Sequence, residues 1–414
     1  MITFIHTADV HYGMENYGKI DPQTGIHSRL LDFDKAFNYC IDVAIERQVD
    51  LFLFAGDAYK TTNPSPTQQR LLLKSLLRLH KAGIPIVIAV GNHDNPLSFG
   101  KSNTLDMYGD LPLDGFHVIA KPTSFTLKTK NGPIQIVGIP WPTRNTVSLS
   151  DTHKFKSSFE LTEYISGRVH SIINHFAQQL DPEIPAVLMG HLTVTSGIFS
   201  GSEKRAIYGN DPVFLPSQLA IQPFDYVALG HLHRYQNLNE NGYPPLVYSG
   251  SIERIDFGER KEDKGFCLVS IHEKNNTTYE FIKTPQRPFI QIEVSIKSTT
   301  DESQTSQIIE KIKEFDLTDA IVKIMYHLPP ELKDMVDLAA IQRACHNAQD
   351  IVAIIPIYQP KIRTARAAMK IDMDLITLLQ TYFKTRPELE NKQVSLIEKA
   401  LQLKEKIDND IKDK

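Results

Sequence analysis

The sequence predicts an α/β fold followed by smaller structured segments. Three observations carry this. Apolar runs of strand length alternate with amphipathic stretches of helix length through the first half. Those runs are apolar at nearly every position, as expected of strands covered on both faces. The 414 residues also exceed the roughly 250–300 at which a single hydrophobic core stops growing, so at least two domains are expected.

Residues 2–6 form a short buried strand. Residues 29–48 carry Leu30, Leu31, Phe33, Phe37, Cys40, Ile41 and Ala44 at helical spacing, which makes a helix lying on a sheet. Residues 51–55 are the next strand. Pro64 and Pro66 then open a helix running to about Ala82, with Leu71, Leu72, Leu76 and Leu79 as its inner stripe. Residues 84–90 are a third strand, ended by Gly91. This is βαβ architecture, in which ligands gather beyond the carboxyl ends of the strands. Residues 185–189, 226–229, 264–269 and 276–283 read as later strands.

Hydrophobic and charged fractions of 41% and 23% are those of an ordinary globular protein. No run of about 18 apolar residues exists, so neither a membrane span nor a membrane partner is expected. The start of the chain runs into a strand without a signal-peptide pattern, and Cys40, Cys267 and Cys345 are too few for a disulfide scaffold. A cytoplasmic location is expected. A net charge of −4 excludes coating of nucleic acid by bulk charge, but not a local basic groove or a metal site. No Walker-type phosphate loop occurs, so ATP hydrolysis must come from elsewhere.

Five apolar strands are each followed at once by groups that ligate metals. Asp9-Val10-His11 follows the first, Gly56-Asp57 the second and Gly91-Asn92-His93-Asp94 the third; Gly190-His191 and Gly230-His231-Leu232-His233 follow the later two. Singly, each is commonplace: a turn, or a hydrogen-bonded loop histidine. Jointly, with Gly at four junctions to permit close backbone approach, they point to a metal centre. Alternation along an extended segment would put the rings of His231 and His233 on one side.

In this order the motifs resemble the calcineurin-like metallophosphoesterase family. Within it, the stretches Ala8-Asp9-Val10-His11, residues 51–60, the Gly-Asn-His-Asp block and Ile139-Pro140-Trp141-Pro142 are most similar to the SbcD-type DNA-repair nucleases. The resemblance implies a β-sandwich flanked by helices over residues 1–285. It implies Asp9, His11, Asp57 and His233 around one ion and Asp57, Asn92, His191 and His231 around a second, with Asp57 bridging. Oxygen and nitrogen ligands without thiolate suit manganese or iron and admit zinc; in the resembled nucleases manganese is the usual activator. Two such ions stabilise both attacking and leaving oxygens of an in-line displacement. His93 is implied as the group that stabilises or protonates the leaving oxygen, and Asp94 as a carboxylate that orients a histidine. Lys60 stands where some relatives carry a second histidine. Its side chain is read either as a phosphate contact or as a helix-cap lysine.

Residues 286–360 read as strand, helix, strand, helix, strand, resembling a small α/β capping domain. Residues 361–414 carry two amphipathic stripes, Leu375, Ile376, Leu379, Tyr382 and Phe383, then Leu396, Ile397, Ala400, Leu401, Leu403 and Ile407, separated at Thr385-Arg386-Pro387. They either pack back on the body or dock on a partner. The resemblance implies docking on an SbcC-like coiled-coil ATPase, with DNA as substrate and a homodimer as the assembly. Two other readings stand beside the nuclease: a stand-alone phosphodiesterase for small nucleotides, and a scaffold with a vestigial metal centre.

Overall fold

The central strands are short and apolar because helices or a second sheet cover both faces. The computed structural model describes residues 1–96, 101–144, 146–147, 157–201, 211–297, 301–329, 332–358, 373–384 and 386–412. In chain order these begin with β1 (Ile2–Thr7), α1 (Ser28–Glu46), β2 (Leu51–Phe54), α2 (Pro66–Lys81), β3 (Ile86–Ala89), α3 (Asp106–Gly109) and β4 (Phe116–Ile119). Next come β5 (Thr123–Thr129), β6 (Gly132–Ile139), α4 (Ser158–Gln179), β7 (Ala186–His191), β8 (Thr193–Val194), β9 (Val213–Phe214) and α5 (Pro216–Leu219). Then follow β10 (Tyr226–Gly230), β11 (Gln236–Asn237), β12 (Leu246–Tyr248), β13 (Gly265–Glu273) and β14 (Asn276–Lys283).

These strands make two six-stranded sheets, in the orders β14-β13-β1-β2-β3-β4 and β11-β12-β10-β7-β6-β5. Strands β1 to β4 run parallel, as do β6, β7, β10 and β12; antiparallel partners lie at the margins. Alternation along each strand divides its side chains between two cores. Phe52 and Phe54 of β2 meet Phe33, Phe37 and Cys40 of α1 and Leu72, Leu76 and Leu79 of α2. Leu51 and Leu53 point the other way, to Ile136, Met189, Tyr226 and Ala228 of the second sheet. The far face of that sheet packs Leu188, Val227 and Leu229 against Ile165, Val169 and Ile173 of α4. The result is a helix–sheet–sheet–helix sandwich, as expected from the sequence. Helices α3, α4 and α5 and strands β4, β5, β6, β8, β9, β11 and β12 were not anticipated.

Local chemistry sets the helix limits. Ser65 and Gln68 form a capping box before Pro66 at the first turn of α2. Lys60 is therefore not the cap. Pro85 shortens the expected third strand at its start.

One buried polar link joins the sheets. His6 of β1 bonds through Nδ1 to the Tyr226 hydroxyl and through Nε2 to the Leu229 carbonyl of β10, both at 3.1 Å. The carbonyl only accepts, so the proton sits on Nε2 and Nδ1 accepts from the tyrosine.

Residues 289–358 hold β15 (Phe289–Ser295), α6 (Asp301–Ile312), β16 (Ile321–Leu328), α7 (Leu338–Ala344) and β17 (Asp350–Tyr358), the strands forming one sheet in that order. Helix α7 is shorter than the span 336–348 whose pattern reads as helix in the sequence. Asp337 caps its start by accepting from Ala340 N–H, and its end tightens into the turns Cys345 N to Gln342 O and Ala348 N to Cys345 O. The chain divides into two compact units, Met1–Ile292 with Ile312–Ile324 and Gln342–Ile354, and Glu293–Lys311 with Met325–Ile341 and Ile355–Lys414. The second ends in α8 (Leu375–Lys384) and α9 (Gln393–Lys412), joined through a short 3-10 helix opened by Pro387. Thr385 lies outside the described residues, as does the side chain of Ile407. No helix among the described residues is long and apolar enough to cross a membrane.

Burial holds the His6 imidazole neutral and lowers its pKa from 6.5 to about 3, against the opposing pull of Leu229. Because the folded value is depressed, its stabilising contribution is present above pH 6.5 and is lost as pH falls toward 3. Between pH 7 and 5 this amounts to about 2 kcal/mol. Urea unfolding at both pH values should show that much less loss for His6→Gln than for the native chain. Identical pH slopes would remove His6 from the acid sensitivity.

Candidate metal centre

All seven expected ligands lie where parallel strands end. The register sets Thr7 of β1 beside Phe54 of β2 and Gly230 of β10 beside His191 of β7, so the following loops emerge level. The loops after β1 and β2 are themselves paired, Asp9 N to Gly56 O at 3.0 Å and His11 N to Asp57 O at 3.1 Å. Four of the seven expected ligands hold left-handed backbone: Asp9 (φ 52°), His11 (49°), Asp57 (56°) and His231 (104°). Each such residue costs on the order of 1–3 kcal/mol, and such strain clusters at sites that bind or react. His231 is thus not in extended conformation, and the expected alternation of two rings along a strand does not hold. A sharp bend directs them instead. Three of the junction glycines are sterically required. A Cβ on Gly56 would stand 2.4 Å from His191 Nδ1, one on Gly91 2.1 Å from Asp57 Oδ1, and one on Gly230 2.1 Å from the Ala55 carbonyl oxygen.

The donor atoms crowd together. Asp9, His11 and His233 each bring one ligand atom within 4.8 Å of the others; so do Asp9, Asp57 and His191, and so do His11, Asp57 and His93. His11 Nε2 lies 3.1 Å from His233 Nε2 and 3.7 Å from Asp57 Oδ2. Asn92 Oδ1 lies 2.9 Å from His191 Nε2 and 3.1 Å from His231 Nδ1, and His191 Nε2 is 3.5 Å from Asp57 Oδ2. The two expected ligand groups are therefore each assembled, with Asp57 facing both.

Outer hydrogen bonds show which atoms carry lone pairs. His191 Nδ1 donates to the Ala55 carbonyl at 2.8 Å, so its Nε2 lone pair points at the Asn92 oxygen and the Asp57 carboxylate. His233 Nδ1 donates to Glu259 Oε1 at 2.9 Å, leaving Nε2 toward His11. Lone pairs facing each other at about 3 Å repel unless a proton or a cation lies between them. The donors present thus fit a pair of divalent ions, and the carboxylate–histidine arrangement is the usual way a metal-binding ring is fixed.

The electrostatics agree. Burial would raise Asp57, but His191, His93 and His11 outweigh it and hold this carboxylate well below its ordinary range. Asp9 is raised by burial against the pull of His191, His233 and His231. His11 and His231 are kept neutral by burial. His191 is desolvated too, yet Asp57 and Asp9 push it up to about 9, which marks the place where a positive charge is wanted.

His93 stands beside the ligands, its ring edge-on to His11 at 4.9 Å. Its N–H bonds Asp57 Oδ1 at 2.9 Å, and its Nδ1 donates to the Lys60 carbonyl at 2.8 Å, leaving Nε2 for chemistry. Lys60 thus acts on His93 through its backbone. Asp94 is placed differently from the expectation that it orients a histidine. It is fully buried and accepts from the N–H groups of Ala58, Tyr59 and Gly91, tying the loops after β2 and β3.

Three further residues were missed in the sequence. Glu259 is fully buried, holds His233 and is paired with Lys264 Nζ at 2.9 Å, which keeps its carboxyl at about 2 despite burial. The Lys264 ammonium also donates to the His233 carbonyl. Trp141, of the Ile139-Pro140-Trp141-Pro142 stretch, packs its ring at 4.9 Å from His231 and 6.0 Å from His191. Glu259 lies far from every motif and follows no recognisable spacing.

A family model for calcineurin-like phosphoesterases matches residues 2–235, which includes all seven expected ligands. Solved structures sharing similarity include the protein TT1561 of Thermus thermophilus, at 10% identity and TM-score 0.38, covering 68% of this chain and 98% of that one. A dimetal phosphatase from Danio rerio matches at 10% identity and TM-score 0.41, with the same coverages. The purple acid phosphatase PPD1 of yellow lupin matches at 13% and 0.38, covering 68% of this chain and 51% of its own. With the family model spanning more than half of its length and a clustered set of metal-binding side chains, the chain belongs to the calcineurin-like phosphoesterases, metal-dependent phosphoester hydrolases that use two divalent ions.

Proposed function

We propose that this protein is a two-metal-dependent phosphodiesterase acting on the DNA backbone, the nuclease subunit of an assembly with an SbcC-like coiled-coil ATPase. The observation that carries the hydrolytic reading is the geometry of His93. The ring lies edge-on to ligand His11 and is held by the Lys60 carbonyl, with Nε2 left for a substrate oxygen. Divalent ions held by the seven ligands would supply Lewis-acid stabilisation of charge on the phosphoryl oxygens. The protein's own part is positional and acid–base. Asp57 fixes the His93 backbone, Lys60 its ring, and the imidazolium delivers the Nε2 proton to the departing sugar oxygen.

DNA as substrate is supported by the resemblance of residues 8–11, 51–60 and 91–94 to SbcD-type nucleases. Docking on a partner is supported by α8 and α9, which leave Ile376, Tyr382, Val394, Leu396 and Leu403 exposed. Apolar faces of this kind fit a helix or groove of a second protein. Manganese, dimer formation, a cytoplasmic location and division into domains at residues 1–285, 286–360 and 361–414 belong to the same proposal.

A general acid matters most when the leaving group is a strong base. His93→Ala should keep its metal and lose about 10²–10⁴ in rate on DNA. On a 4-nitrophenyl diester, whose leaving group departs without a proton, the loss should be far smaller. Equal losses on both substrates would assign His93 to phosphate binding, and an unchanged rate on DNA would remove it from the reaction. Failure of the native, manganese-loaded protein to cut linear duplex DNA while it cleaves small nucleotide diesters would establish the small-substrate reading instead.

Deletion of residues 371–414 should leave manganese-dependent diester hydrolysis intact while abolishing co-purification with a co-expressed SbcC-like ATPase. Undiminished co-purification would contradict the docking role of α8 and α9.

A further inference from the structure

A cleft of about 520 Å³ opens beside the metal centre, lined by Met14, Tyr17, Lys60, Ile255 and Phe257 among others. Its volume is that of a site for a small organic group. Its walls are one link away from three groups of the centre. Met14 N–H bonds the His11 carbonyl, Lys60 holds His93, and Ile255 N–H bonds Glu259, which holds His233. A group in this cleft would therefore lie next to whatever the centre acts on.

Beside the Asp256 carboxylate, whose Oδ1 accepts from Gly258 N–H, the lining has two parts that suit a nucleotide. Tyr17, half-buried, stands edge-on to Phe257 at 5.6 Å and to Phe289 at 5.9 Å, so the neighbouring rings brace it. Its backbone has φ 57°, an outlier for so bulky a side chain. The Asn16 amide, donating to the Ile255 carbonyl at 2.8 Å, pins this strained segment. The second part is the Lys60 side chain, which forms no ion pair among the described residues. An aromatic face beside a cation is the combination that holds single nucleotides by stacking and charge.

We propose that this cleft receives the base of the nucleotide arm adjoining the scissile phosphate, with Tyr17 as the stacking face and Lys60 as the positive rim. This rests on the phosphodiesterase reading above.

The test compares two diesters with the same leaving group, thymidine 5′-(4-nitrophenyl) phosphate and methyl 4-nitrophenyl phosphate. Tyr17→Ala should raise KM for the thymidine diester by about 5- to 150-fold, the range expected for loss of one base–aromatic stack. Its kcat should stay within about twofold. The methyl diester should be unaffected, and Tyr17→Phe should restore the native KM. Equal effects of Tyr17→Ala on both diesters, or none on either, would overturn the proposal. Binding of thymidine 5′-monophosphate against methyl phosphate to the manganese-loaded protein, by calorimetry, needs no turnover. The nucleotide should bind about fivefold tighter or more, the lower end of the same stacking range, and Tyr17→Ala should erase the difference. Were neither diester hydrolysed, the phosphodiesterase reading would fall, and this binding comparison alone would decide the cleft.

Discussion

The constraint on which the rest of the structure depends is the burial of electron-pair donors facing one another. Two ring nitrogens lie 3.1 Å apart at His11 and His233, and a ring nitrogen lies 2.9 Å from an amide oxygen at His191 and Asn92, in largely dehydrated surroundings. Such an arrangement is unfavourable unless a proton or a cation lies between the donors, because buried polar atoms need partners of opposite sense. It persists because the scaffold over-determines it. Paired loops hold Asp9, His11 and Asp57 in left-handed backbone, and glycines admit side chains where a Cβ would collide.

The sandwich explains how two separate sets of strand ends meet. The expected ligands after β1, β2 and β3 come from one sheet, and those of β7 and after β10 from the other. His6 clamps the central strands of both sheets together three residues before Asp9, and the same Leu229 it bonds precedes Gly230 and His231. The buried Glu259–Lys264 pair continues this on the other side of the centre, reaching His233 through both its ring and its carbonyl. A paired charge at such depth is poor evidence of stability, since desolvation offsets the attraction. Its value here is to fix which nitrogen of His233 carries the proton.

Much of this was legible in the sequence, for physical reasons. A strand covered on both faces must be apolar throughout, so β1, β2, β3, β7 and β10 stood out, and a ligand placed directly after such a strand is conspicuous. The parts that were not legible are those carried by backbone groups or by distance along the chain. The Lys60 carbonyl has no signature in a side-chain alphabet. Asp94 looked like a partner for histidine and turned out to accept from three backbone N–H groups. His231 sits in a bend whose left-handed φ no alternation rule foresees. Glu259 lies 26 positions beyond His233, and a carboxylate in a loop reads as a solvated charge until burial is known.

Asp57 is the hinge of the account, because its carboxylate faces both ligand groups. The most direct test is the metal content of desalted, manganese-loaded protein, by mass spectrometry, for the native chain and Asp57→Ala. The account predicts two ions per native chain and loss of both, or all but a weakly held remnant, in the variant. Two ions retained in folded Asp57→Ala, or none in the native chain under any loading condition, would contradict it.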